Sequence, residues 1–250
     1  MLFSFGENET NVQTIFHTNE TGLVRAFELP KGVTAIVGGG GKTTLMLRLA
    51  RELAESGARV IVTTTTHIFP PDGIRTLTNG LEDEVELSLK QNAAVCIGKP
   101  TEASKLAAPD LPISRMAELA DYVLVEADGA KRLPLKAPAG HEPVIPPEAR
   151  LVIASAGLEG AGKPIYQAAF RPERFAALCG KLESDEVTAK DIALVLAHPG
   201  GLRKNVADGV RFAVLLNQAD DEPRRKTALE IASLLQQYPI ERTIIASLGE

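Results

Sequence analysis

The sequence predicts an α/β fold of three layers, with helices on both faces of a mostly parallel central sheet. From Gly32 onward, short β-branched apolar runs alternate with helical patterns, the arrangement expected of parallel strands joined by crossover helices. Most of these runs are continuously apolar, as strands covered on both faces should be. The first strong run, Val33 to Val37, passes through a glycine cluster straight into an amphipathic segment. Strand, tight turn and helix thus follow without a spacer.

The strands are placed near Val33 to Val37, Arg59 to Thr64, Ala94 to Ile97, Tyr122 to Ala127, Leu151 to Ala154, Arg211 to Leu216 and Thr243 to Ala246. Between the first two, Thr43 to Glu55 carries Leu45, Leu49 and Leu53 four residues apart, which lines one face of a helix with apolar side chains. Thr188-Ala-Lys-Asp191 reads as a capping box opening a helix through Leu196. His198-Pro-Gly-Gly201 stops it. Residues 129–150 hold five prolines and two glycines in a polar setting, too irregular for a helix or strand. A loop of that length in a compact domain is expected to be functional or mobile.

Composition narrows the partners. The 250 residues are 44% apolar and 24% charged, which is ordinary for a globular core and excludes collagen-like and disordered classes. The net charge of −5 supplies no general basic field, so neither nucleic acid nor an anionic membrane is an expected partner. Any phosphate must be bound locally. Cys96 and Cys179 lie far apart and outside any C-x-x-C or Cys/His cluster, so neither a zinc site nor a disulfide framework is indicated. No run reaches the length of a membrane span, and Met1 to Thr10 lacks a basic start followed by an apolar stretch. A cytoplasmic location is the expectation.

The glycine cluster is Gly38-Gly39-Gly40-Gly41-Lys42-Thr43-Thr44. Glycine lets the backbone take positive φ and turn its N–H groups toward one point, and a helix N-terminus adds unpaired donors and partial positive charge. Lys42 would reach the β- and γ-phosphates, and Thr43 would give its hydroxyl to Mg²⁺. The loop is two residues shorter than G-x-x-x-x-G-K-[ST], since Ile36 stands where the longer motif has its first glycine. Its G-x-x-G-K-T-T form resembles the compact phosphate loop of Mur-type amino-acid ligases. The fold class is therefore expected to be P-loop NTPase-like.

Asp121-Tyr-Val-Leu-Val-Glu126-Ala-Asp128-Gly129 is an apolar strand ending in two carboxylates. Period-2 geometry puts Glu126 and Asp128 on one face, at the carboxyl edge where ligands of open α/β sheets bind. One of them would hold Mg²⁺ and the other orient an attacking water; the spacing leaves open which does which. Glu126-x-x-Gly129 also resembles the D-x-x-G element of GTP-binding proteins. A second strand ends in Thr63-Thr64-Thr65-Thr66, whose hydroxyls suit magnesium-bound water or a γ-phosphate, although threonine also simply favours strands.

Leu216-Asn217-Gln218-Ala219-Asp220 resembles the N-K-x-D guanine motif with glutamine in the lysine position. A carboxylate at Asp220 can accept from both guanine N1–H and the 2-amino group, a pair of donors that adenine does not offer. The other reading is a turn in which Asp220 or Asp221 caps a helix opening at Glu222-Pro223.

In order along the chain, Gly38-Gly-Gly-Gly-Lys-Thr-Thr44, Val62-Thr-Thr-Thr-Thr66, Val125-Glu-Ala-Asp-Gly129, Leu135-Lys-Ala-Pro138, His141-Glu-Pro-Val-Ile-Pro146, Arg171-Pro-Glu173 and Leu216-Asn-Gln-Ala-Asp220 resemble the YqeC family. The resemblance spans residues 30–247. It implies a nucleotide-binding accessory factor for a selenium-dependent molybdenum hydroxylase; no residue read from spacing or composition points to selenium or molybdenum. It also directs attention to Lys131, Arg132, Lys136, His141 and Glu142, a cationic stretch that would meet an anionic substrate or act as a switch, together with Thr65 and Thr66.

The combined expectation is an N-terminal segment, residues 1–30, of open role, and a single P-loop nucleotide-binding domain, residues 31–250. The domain would bind GTP or ATP with Mg²⁺ and hydrolyse it, with Lys42 on the phosphates, Thr43 and Asp128 on the metal, Glu126 on water, and Asn217 and Asp220 on the base. The alternatives are a Mur-like ATP-dependent ligase or kinase acting on a small anion, or a nucleotide-gated binding module without turnover.

Overall fold

The computed structural model describes residues 12–15 and 22–249. Its centre is a sheet of nine strands: β1 (Val12–Ile15), β2 (Gly32–Gly38), β3 (Val60–Thr64), β4 (Arg75–Leu77), β5 (Ala94–Ile97), β6 (Tyr122–Glu126), β7 (Ala149–Gly157), β8 (Arg211–Asn217) and β9 (Arg242–Ala246). They lie in the order β1-β9-β8-β7-β2-β6-β3-β5-β4. Every neighbouring pair is parallel, so each connection must cross a face of the sheet.

Eight helices lie in these connections among the described residues: α1 (Leu23–Ala26), α2 (Lys42–Glu55), α3 (Glu82–Gln91), α4 (Ile113–Leu119), α5 (Ile165–Ala168), α6 (Pro172–Cys179), α7 (Ala189–Ala197) and α8 (Glu222–Leu235); β3 to β4 and β6 to β7 are joined without one. Strand side chains alternate between two cores, which gives the molecule its three layers. Ile36, Leu124 and Ile153 face α1 and α2 through Leu23, Leu45, Met46 and Leu49. Val37, Val125 and Val152 face the other helices through Val85, Met116, Phe175, Ile192 and Ile231. Each fully buried side chain of this size contributes about 1.5–3 kcal/mol relative to exposure. The continuous apolar runs are thus strands buried on both faces, as the sequence predicts.

Residues 22–30 are built into this body. Leu23, Ala26 and Phe27 are completely buried. The carboxylate of Glu52 on α2 accepts the Leu23 and Val24 amides at 3.0 and 2.9 Å, satisfying donors that Gly22 has no side chain to cap. The Thr188–Asp191 capping box forms as expected, and α7 ends at Ala197 before the Pro-Gly-Gly stop. Asp221, rather than Asp220, caps α8 by accepting from the Arg224 amide.

The proline-rich segment departs from expectation. Leu135–Lys136 forms a short parallel pair with Ala169–Phe170, and residues 134–139 are buried. Lys204 donates to the carbonyls of Ala139 and Gly140, and Asn205 to that of Pro143. Prolines cannot donate to a ladder, so side chains from elsewhere hold this segment where main-chain pairing cannot. No helix of the described residues is long and apolar enough to cross a membrane.

Candidate functional site

β2, at the middle of the sheet, ends at Gly38, and α2 begins at Lys42. Gly38, Gly40 and Gly41 have φ of 99°, 68° and 113°, the region that L side chains resist. Space excludes side chains as firmly. A Cβ on Gly40 would stand 2.2 Å from the Gly157 nitrogen, and one on Gly41 2.4 Å from Asn217 Nδ2. The turn is therefore glycine because the ends of β7 and β8 press against it.

Three amides of the glycine turn are already engaged within the protein. The N–H groups of Gly38, Gly39 and Gly40 are satisfied within the protein, by the Asp128 carboxylate at 3.0–3.1 Å, by Ser155 O at 2.9 Å and by Leu133 O at 3.1 Å. Gly41 and the first turn of α2, Lys42, Thr43 and Thr44, follow directly. These first-turn amides have no partner inside the helix, and Gly41 supplies no side-chain cap.

Glu126 closes β6, and Asp128 follows two residues later. Although the strand stops between them, both carboxylates reach the same ammonium. Lys42 Nζ lies 3.3 Å from Asp128 Oδ1 and 3.8 Å from Glu126 Oε1, and donates to Gly38 O at 2.7 Å. Thr43 Oγ1 donates to Glu126 Oε2 at 2.8 Å. The row continues inward: Lys136 Nζ stands 3.1 Å from Asp128 Oδ2 and 2.8 Å from Glu142 Oε2, and Arg171 Nη1 is 2.6 Å from the same Glu142 oxygen. Three carboxylates and three cations alternate. Lys42 is 5% exposed, Lys136 1% and Asp128 0%, and charges so buried persist only when paired and hydrogen-bonded.

The row sets the proton affinities at its ends. Burial raises the Glu126 pKa above its ordinary 4.5, against the pull of Lys42 and of the Thr43 hydroxyl, and Asp128 adds to the rise. Burial also pushes on Glu142. There the hydrogen bond and charge of Lys136, the Ala139 amide and the Arg171 charge outweigh it, and the Glu142 pKa falls below the usual range.

The segment 129–150 divides into two kinds of residue. Lys136 and Glu142 are buried members of the row, whereas Lys131, Arg132 and His141 are exposed. Thr65 Oγ1 donates to Val144 O at 2.7 Å, and the Thr66 amide donates to Thr64 Oγ1 at 2.9 Å. The threonines thus tie the end of β3 to this segment.

Asn217 is buried; its Nδ2 donates to Gly40 O at 2.8 Å and its Oδ1 accepts from Leu248 N at 3.0 Å. Asp220 is exposed, bonded to Arg224 Nη1 at 2.9 Å and to the Ser247 hydroxyl. Between them, Gln218 has φ 65° and a buried Oε1 without a hydrogen-bond partner. A cavity of about 330 Å³ is lined by Leu158, Glu159, Lys163 and Arg224, the last of which bonds Asp220. A larger one of about 640 Å³ lies at the amino ends of β8 and β9, lined by Arg211, Phe212 and Thr243. It holds no member of the charged row.

Two carboxylates and a hydroxyl beside a helix N-terminus are hard oxygen donors, the set that Mg²⁺ uses together with substrate phosphates and waters. Arg171 and Gln218 stand in the sequence only as parts of motifs, with no role assigned to either. Arg171 lies far along the chain in an Arg-Pro-Glu stretch, and only the pairing of 135–136 with 169–170 brings it to Glu142.

The YqeC protein family model matches residues 34–173, which covers the glycine turn, both carboxylates beside it and the whole charged row. The chain is also 32% identical over 232 residues to the Escherichia coli (strain K12) protein described as "Uncharacterized protein YqeC", covering 87% of this chain and 88% of that one. The fold, the glycine turn and the ordered motifs thus sit in a chain that belongs to the YqeC family.

Proposed function

We propose that the protein binds a nucleoside triphosphate with Mg²⁺ at the Gly41–Thr44 helix opening and hydrolyses it. The observation that carries this reading is the position of Lys42, an ammonium at the head of α2 held between Glu126 and Asp128. The first-turn amides would take the terminal phosphates. Lys42 would exchange its carboxylates for those phosphates, leaving Thr43, Glu126 and Asp128 to face a cation. Thr43, Glu126 and Asp128 would hold Mg²⁺, which would supply neutralisation of the phosphate charge. Glu126, whose proton affinity is raised, suits the role of holding and accepting a proton from water.

The base would lie toward Asp220, with GTP ahead of ATP because a carboxylate there accepts two guanine donors. Ser247 and Arg224 would have to release Asp220 for this. The state of the phosphates would reach segment 129–150 through Leu133 O on Gly40, Pro134 O on Gly157 and Lys136 on Asp128. The family resemblance supports assigning this cycle to the maturation of a selenium-dependent molybdenum hydroxylase. A second reading, transfer to a small anionic substrate by a ligase or kinase, is favoured by the exposed cations at 131 and 132.

The test is a calorimetric titration with GTP, ATP and their diphosphates, with and without Mg²⁺. Binding of a triphosphate that strengthens with Mg²⁺ and disappears in Lys42→Met is expected. Absence of binding to any nucleotide at millimolar concentration overturns the proposal.

A further inference from the structure

We infer that the turn carrying Lys131 and Arg132, together with Lys105 and Arg171, forms a second anion site, which takes the phosphate group of a small molecule other than the nucleotide. The role of such a site as a substrate site rests on the nucleotide reading; its existence does not.

Backbone geometry is the first ground. Leu133 N donates to Ala130 O at 2.9 Å, and the two residues between have φ of 49° and 62°. These are features of a type I′ turn, whose central positions favour Asn-Gly. Here both positions carry long cations, and both side chains are exposed, so burial does not repay the strain. Arg171 is a third cation with positive φ, at 60°. Strained non-glycine residues of this kind cluster at ligand clamps.

Charge and position are the second ground. Arg171 and Lys131 stand 4.3 and 5.3 Å from the centre of the Phe170 ring, and Lys105 and Arg132 stand 4.8 and 5.7 Å from that of Phe69. The rings orient the cations without neutralising them. No ion pair of the described residues involves Lys105, Lys131 or Arg132, and Arg171 shares Glu142 with Lys136. In a chain of net charge −5, such a cluster is a local anion well. The guanidinium forks match phosphate oxygens, and half-exposed Phe69 offers an apolar face to the rest of the molecule. The neighbouring residue Leu133 accepts from the Gly40 amide, which sets the cluster against the phosphate loop.

Inorganic phosphate is the probe, its binding followed by ³¹P line width, and the double variant Lys131→Asn/Arg132→Gly gives the turn its preferred residues. The expected result is phosphate affinity weakened by about tenfold or more, as loss of charge-assisted hydrogen bonds predicts, with an unchanged or raised Tm. Lys42→Met should leave this phosphate binding nearly intact, because the phosphate loop is a separate site. Phosphate binding unchanged by the double variant, or abolished by Lys42→Met, overturns the inference, as does a lowered Tm, which would make the two cations structural. A failure of the nucleotide reading would show separately, as wild-type protein that binds phosphate but no triphosphate.

Discussion

The ammonium of Lys42 stands 3.3 Å from Asp128 Oδ1 and shares that carboxylate with Lys136 on its other oxygen. Asp128 therefore keeps one cation when Lys42 is removed, whereas Glu126 keeps none. Lys42→Met preserves the buried stem and should cost less stability than Lys42→Ala, which also opens a void. Losing one partner of a buried pair costs about 3–5 kcal/mol, and the Ala variant should approach that figure. Urea unfolding at pH 7 measures both; equal stability of Ala and wild type would contradict the buried pairing.

Glu126 makes a prediction in pH. Its folded pKa is raised above the ordinary 4.5 by burial, so the folded state holds this proton more firmly than the unfolded chain. Wild-type stability from this group therefore falls as pH climbs from about 4.5 toward the folded pKa. Glu126→Gln removes the effect, and its stability advantage over wild type should widen across the same window. Parallel Tm–pH curves for the two proteins would refute it.

Glu142 behaves in the opposite sense. Lys136, the Ala139 amide and Arg171 hold its pKa below 4.5 despite burial. Its contribution is complete above 4.5 and is lost as pH falls through the folded value. Glu142→Gln should accordingly be destabilising at pH 7 and nearly neutral once the wild-type carboxylate is protonated. Lys136→Met, which leaves Asp128 with Lys42 and Glu142 with Arg171, should still be destabilising at neutral pH, by less than the about 3–5 kcal/mol of a buried charge left with no partner. Chemical denaturation at the two pH values distinguishes these outcomes.

Asp220→Asn addresses the base. If its carboxylate accepts the two guanine donors, the variant should weaken GTP by about tenfold or more, the scale of hydrogen bonds to a charged group, and leave ATP nearly unchanged. Competition between the two nucleotides gives the ratio directly, and an equal loss for both would remove the guanine assignment.

The interior of the fold was legible because its strands announce themselves. Val33 to Val37, broken only by Thr34, and Val123 to Val125 are apolar runs, and only a strand covered on both faces needs that. Edge strand β4 has three residues and an exposed Arg75, too short and too polar to rise above a loop. The glycine turn and the carboxylates beside it were visible in residue order, since a strand end fixes both at one edge. The charged row was not. Lys136 and Glu142 read as members of a loop that would meet an anionic substrate or act as a switch, and nothing local shows that residues 169–171 return to cover them. Sequence accounts for Gly40 and Gly41 by their φ; their second cause, crowding by Gly157 and Asn217, is a tertiary fact.

Gly40 and Gly157 meet backbone to backbone, so the peptide that turns out of β2 and the one that leaves β7 have no rotamer slack between them. The Gly157 amide is fastened in turn to Pro134 O at 2.8 Å. Three chain crossings are thereby stacked like rigid plates, and a displacement of one by a fraction of an ångström must be passed on to the other two.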